Sequence, residues 1–143
     1  LVEITEIRIL LESQSAFWTT KRASDRELDE LRDILKSCRE SLEQDPESQD
    51  RAHLAFHDAV VRLSRNSFAI RLLSSIRAEI EAQKAKFEEI PEMDRIDLIR
   101  DQEKILQHIL NREAEEARRA MEKHMNKGLL LLAPYFPEAK LDS

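Results

Sequence analysis

A chain of 143 residues with a formal net charge of −6 is long enough for one domain with a real core, and its acidic balance, with no basic stripe, excludes a free-standing nucleic-acid binder. A single cysteine, Cys38, excludes an intrachain disulfide and a cysteine-based zinc site and fits a reducing cytoplasm. The longest apolar run, Gly128 to Ala133, falls far short of the ~20 residues a membrane span requires.

One glycine and four prolines leave few breaks in a chain rich in Leu, Ala, Glu, Arg and Lys. Such a composition predicts an all-α protein, an antiparallel bundle of about six amphipathic helices. The first helix is expected from Val2 to Lys21, with Ile4, Ile7, Leu11 and Ala16 near one stripe. Ser24-Asp25-Arg26-Glu27 reads as a capping box that opens a second helix from Asp25 to Glu43. Asp45-Pro46 separates it from a third, Glu47 to Leu63. At Arg65-Asn66-Ser67 the chain turns, and Asn66 or Ser67 caps a fourth helix, Phe68 to Phe87. Ile90-Pro91 is the next break. The fifth helix is expected from Arg95 to Leu110 and the sixth from Ala114 to Leu132, with Tyr135 to Ser143 as a frayed tail.

Polar residues that interrupt apolar faces are the informative ones. Phe56, Val60 and Leu63 define the stripe of the third helix, and His53 and His57 lie beside it. Four residues apart, the two imidazoles stand about 40° apart around the helix and about 6 Å along it, a spacing at which both can grip one metal ion. Gln102 falls in the stripe of the fifth helix and His124 in that of the sixth, whereas His108 points away. A buried imidazole or amide needs a partner, and a shared ion or ligand satisfies several at once. The alternative is that each histidine is satisfied separately by a backbone carbonyl. Arg8, among Ile4, Ile7 and Leu11, and Arg77, beside Leu73, Ile76 and Ile80, are placed to clamp a carboxylate. Here the alternative is that they reach solvent or pair with a neighbour such as Glu12.

These motifs, taken in order, resemble the FadR-type C-terminal effector domain of GntR-class transcription regulators. The likeness starts at Glu6-Ile-Arg8-Ile-Leu-Leu-Glu12 and continues through Ala23-Ser-Asp-Arg-Glu-Leu28. It is sharpest at Phe56-His57 followed by Ser64-Arg65-Asn66-Ser67-Phe68, and it ends with Ile105-Leu106, Ile109 and Ala117-Arg-Arg-Ala-Met121-Glu-Lys-His124. The resemblance implies a helical bundle that binds a small, often carboxylate-bearing effector, with a metal held in many members by one Asp and three His. On this chain the family's Asp position carries His53, the Phe-His histidine is His57, the third ligand position carries Gln102, and the last is His124. A three-histidine set for a divalent ion (zinc, nickel or manganese) therefore remains, with Gln102 lining the pocket. With Asn66 of the matching motif, Arg8, Arg77 and Gln102 make up the expected effector contacts.

The resemblance also implies that residues 1–143 form an effector-binding and dimerisation domain. The chain enters helical periodicity directly at Leu1, which is expected of a domain detached from an upstream winged-helix DNA-binding half. DNA would be reached only through that half. A homodimer is expected through Phe17, Trp18 and the Leu129–Leu132 run. Two other classes stay open: a histidine-ligated metalloenzyme, for which no general acid or base stands out beside the histidines, and a structural dimerisation module with an empty pocket.

Overall fold

A computed structural model describes residues 2–82 and 84–136. They form α1 (Val2–Arg22), α2 (Asp25–Ser41), α3 (Pro46–Leu63), α4 (Ser67–Ser75), α5 (Arg77–Ala82), α6 (Lys84–Phe87), α7 (Glu92–Leu110) and α8 (Ala114–Leu132), closed by a 3-10 turn at Ala133–Tyr135. Among the described residues there is no strand, and the all-α expectation holds.

Local chemistry sets the helix starts. Ser24 and Glu27 form the reciprocal capping box expected of them. Asp45 caps α3 by accepting from the Ser48 N–H at 2.7 Å, with Pro46 in the first turn. Asn66 caps α4 through the Ala69 N–H at 3.0 Å. Two connections pass through left-handed backbone at non-glycine residues, Arg65 (φ 58°) and Arg112 (φ 59°). The strain at Arg112, about 1–2 kcal/mol, is offset by its guanidinium, which caps the end of α1 by donating to Thr20 O at 3.0 Å and Ala23 O at 2.6 Å.

One expected helix is broken. Within the segment Phe68 to Phe87 the helix breaks at Ile76, between α4 and α5. Ile76 leaves helical geometry at φ −108°, ψ 12°, just after Ser74 and Ser75, whose hydroxyls donate back to Ile70 O and Leu72 O at 2.9 and 2.7 Å. Serines that bond the preceding turn in this way compete with the helix ladder, and α5 buries no residue that would hold the helix straight. Tyr135 is not part of a frayed tail: it packs beside Phe87, Ile90 and Leu98, and its hydroxyl donates to Glu89 O at 2.9 Å. The rest of the expected tail, 137–143, lies outside the described residues.

α1 packs along α8 and α3, α7 lies beside α8, and α2 covers α3 and α7. The main core gathers Ala16, Leu31, Phe56, Val60, Ile105, Leu106, Ile109 and Met121, all fully buried. Thr19 ties α1 to α3 by donating to Val60 O at 2.6 Å. Two smaller clusters flank this core, one around Val61, Ala69 and Leu73 and one around Phe87, Ile90 and Leu98. Buried Arg95 fastens the connection between α6 and α7: it donates to Glu88 O and Ile90 O and, through Nε, to Gln49 Oε1 at 2.9 Å. That connection is one wall of the site described next.

Candidate metal and effector site

Two helices deliver three imidazoles to one point. His53 and His57 come from α3, because an i,i+4 pair shares a helix face, and His124 comes from α8, which packs across the bundle through α1 and α7. Their Nε2 atoms form a triangle with edges of 3.1 Å (His53–His124), 3.1 Å (His57–His124) and 3.4 Å (His53–His57). Nitrogens bound at about 2.0–2.1 Å to one tetrahedral zinc ion stand about 3.3 Å apart, so the triangle already has the size of a ligand set. His57 and His124 are buried, and His53 is partly exposed.

Two carboxylates hold the outer nitrogens. Glu12, on α1 and fully buried, places Oε1 2.8 Å from His57 Nδ1 and takes Arg8 Nε on Oε2 at 2.8 Å. Burial raises the Glu12 pKa, but Arg8 and His57 outweigh it and hold the carboxyl at about 2. An ionised carboxylate only accepts, so His57 donates to it from Nδ1, which leaves Nε2 as the nitrogen turned towards the other two rings. Asp101 Oδ2 stands 3.5 Å from His124 Nδ1 and acts in the same sense. Lys127 in turn neutralises Asp101 from 3.0 Å. Burial lowers the pKa of His124 to about 4 against the opposing pull of Asp101, and burial with the neighbouring imidazoles lowers that of His53 well below its ordinary value. These two rings are therefore neutral at pH 7. The Nε2 atoms of His57 and His124 face each other at 3.1 Å, close enough to share a proton or a cation. The three histidines lie close enough to hold a metal, and a carboxylate behind a ligating imidazole is the usual support of such a site.

Beside the triangle is a cavity of about 60 Å³ of room for the centres of water-sized guests, space for about four waters or a small organic molecule. Thr5, Arg8, Asp50, His53 and His124 are its polar lining; Leu54, Ile80, Phe87, Ile90, Leu98, Met125, Gly128, Leu129 and Leu132 make up the rest. Phe87 closes over the site by stacking on His53, with ring centroids 5.5 Å apart.

The expected site residues divide accordingly. His53, His57, His124 and Arg8 come together. Arg8 lines the cavity and is paired with Glu12, as the alternative reading of that arginine had it. Gln102 lies behind the triangle, fully buried, where its Nε2 donates to His53 O at 3.0 Å and its Oε1 finds no partner among the described residues. Arg77 stands outside the cavity, exposed on α5 and 3.3 Å from Asp58. The Asn66 side chain is spent on the α4 cap, away from the cavity lining. His108 is near the surface, as expected, facing Glu113 at 3.4 Å. Reading the sequence missed Asp101 and Asp50 and gave Glu12 only as a partner for an arginine, not as a support for His57. The signals were there: Asp50, His53 and His57 recur at helical spacing, and Glu12 sits one turn from Arg8.

The fold and the buried polar cluster define a helical ligand-binding bundle of the kind attached to bacterial regulators. Residues 3–127 match the FCD domain family, and the chain belongs to it. Among solved structures it is similar to E. coli McbR/YncC, with a TM-score of 0.84 at 17% identity over 95% of this chain, a likeness of fold. The match covers 65% of that chain, so this sequence spans somewhat less than two thirds of its length. No curated protein matches. No helix among the described residues is long and apolar enough to cross a membrane.

Proposed function

We propose that this domain is the sensor of a GntR-class transcription regulator: it binds a small organic acid beside a histidine-held divalent ion and does no chemistry on it. The observation that carries the reading is the inward-facing Nε2 triangle, backed by Glu12 and Asp101 and opening onto a cavity whose cation is Arg8. Three imidazoles leave coordination positions open, and an acid carboxylate can take one of them while the Arg8 guanidinium takes its other oxygen. Zinc, nickel and manganese all accept imidazole, and the two carboxylates behind the rings supply the negative charge that a set of neutral ligands lacks. Gln102 supports the site by holding the backbone of His53 and leaves ligation to the imidazoles.

DNA contact belongs to a winged-helix half attached to this domain, consistent with the net charge of −6 here. A homodimer is supported by exposed apolar side chains on neighbouring helices, Ile7 and Leu10 on α1 and Phe68 and Leu72 on α4. Phe17 and Trp18 fit this role less well, being partly buried under Lys21 and Arg22; of the Leu129–Leu132 run, Leu130 is exposed, whereas Leu131 and Leu132 are packed into the cluster around Phe87. An acid that favours one arrangement of the dimer shifts the spacing of the attached DNA-binding halves. Melting curves across a panel of organic acids, with and without zinc or nickel, test the reading. A sensor gains stability with one acid class and more so with metal; no response to any acid or metal means an inert module.

A further inference from the structure

We infer that Gly128 is an opening built into α8 for the apolar body of the ligand, and that the ligand is a monocarboxylate with a short hydrocarbon tail. This inference rests on the acid-sensor reading above and adds the chemical class.

Gly128 is the one glycine of the chain and sits inside α8, where glycine lowers helix stability relative to alanine. Neither usual reason for a glycine applies. Among the described residues, no glycine has a positive φ, and a Cβ built on Gly128 meets nothing within 4 Å. Neither strain nor a close neighbour demands it, so what the missing side chain leaves behind is empty space, and that space belongs to the cavity. His124, Gly128 and Leu132 lie at i, i+4 and i+8 on one face, each about 6 Å further along the helix. A ligand whose carboxylate sits by Arg8 and the imidazoles thus reaches Gly128 with its second to fourth carbons.

The lining along that path decides the class. Among the described residues that line the cavity, Arg8 is the only cation. Apart from Thr5, Arg8, Asp50 and the imidazoles, the walls are apolar, with Ile80, Phe87, Ile90, Leu98 and Leu132 among them. A second carboxylate there would be stripped of water with no partner, which strongly disfavours the ionised group. A methyl group at the same place gains from burial.

Butyrate and succinate form the matched test, since both have four carbons and succinate replaces the terminal methyl with a carboxylate. On the zinc-loaded chain, butyrate is expected to raise the melting temperature and succinate to leave it unchanged. Gly128→Ala should raise the melting temperature without ligand by roughly 2–4 °C, from helix propensity alone. The same change should weaken butyrate binding about tenfold by calorimetry, because the methyl takes the tail's room. Opposite signs for stability and affinity are what a purely structural glycine would not give. Equal shifts with butyrate and succinate, or unchanged butyrate affinity in Gly128→Ala, overturn the inference and leave the acid-sensor reading standing. No shift with either acid, nor with any acid of the wider panel, overturns both.

Discussion

Glu12 bridges Arg8 and His57 with its two oxygens, each at 2.8 Å, so that one buried carboxylate serves both the cavity-lining guanidinium and the imidazole. An acid bound at Arg8, as proposed, would compete with Glu12 for the Arg8 guanidinium. On the proposed reading, acid binding and ion binding would be joined through this one side chain on α1.

Glu12→Gln keeps the shape of the side chain and removes its charge. Zinc affinity should drop about 10–100-fold, the usual effect of losing the carboxylate behind a ligating histidine. Glu12→Ala goes further and leaves Arg8 buried without its partner, which should cost about 3–5 kcal/mol in urea denaturation. Zinc binding by Glu12→Gln at the parent's affinity would remove Glu12 from the site.

Metal should survive dialysis without chelator in the parent chain and be lost in His57→Ala, as read by elemental analysis. Added zinc or nickel should stabilise the parent and leave His57→Ala unmoved. A metal-free parent that gains nothing from either ion would show that the triangle holds a proton or water and not a cation.

Arg8→Lys retains a positive charge beside Glu12 but loses the fork that grips a carboxylate through two nitrogens. The variant should fold and keep most of its metal affinity. Its melting-temperature response to the cognate acid should nevertheless disappear or fall by most of its size. An acid response equal to the parent's would assign the anion to another group.

Stability of the metal-free chain should fall in two steps as pH decreases. His124 has its pKa depressed from 6.5 to about 4 by burial, so the unfolded chain binds the extra proton first. Its contribution is complete above pH 6.5 and is lost between there and about 4, on the order of 3 kcal/mol. Glu12, depressed from 4.5 to about 2 by Arg8 and His57 against burial, contributes above pH 4.5 and loses that contribution as pH falls towards 2. Urea titrations from pH 8 to pH 3 check the sign. A metal-free chain that is more stable at pH 5 than at pH 7 would contradict a neutral, buried His124.

Leu10→Glu combined with Phe68→Glu places charges on two exposed apolar positions of α1 and α4. Sedimentation at tens of micromolar should show a dimer for the parent and a monomer for the double variant, with unchanged helicity. A monomeric parent would assign the apolar surface elsewhere.

Composition and punctuation determined the fold class. One glycine, the Ser24–Glu27 capping box and the Asp45-Pro46 start are local signals, and each acts over one helical turn, so they could be read without the tertiary structure. The same holds for the pairing of His53 with His57 on one face, which the 3.6-residue period requires. The break at Ile76 was not legible, because it depends on how little α5 buries and on which carbonyls Ser74 and Ser75 choose. Tertiary structure alone decided the rest of the site. Glu12 and His57 are 45 residues apart, and His53 and His124 are 71 apart. No periodicity reports which face of α8 meets which face of α3, and exposed Arg77 and cavity-lining Arg8 both read as arginines beside apolar stripes. Only the packing of α1 against α3 and α8 distinguishes them, since it gives one arginine a buried carboxylate and a cavity and the other a surface aspartate.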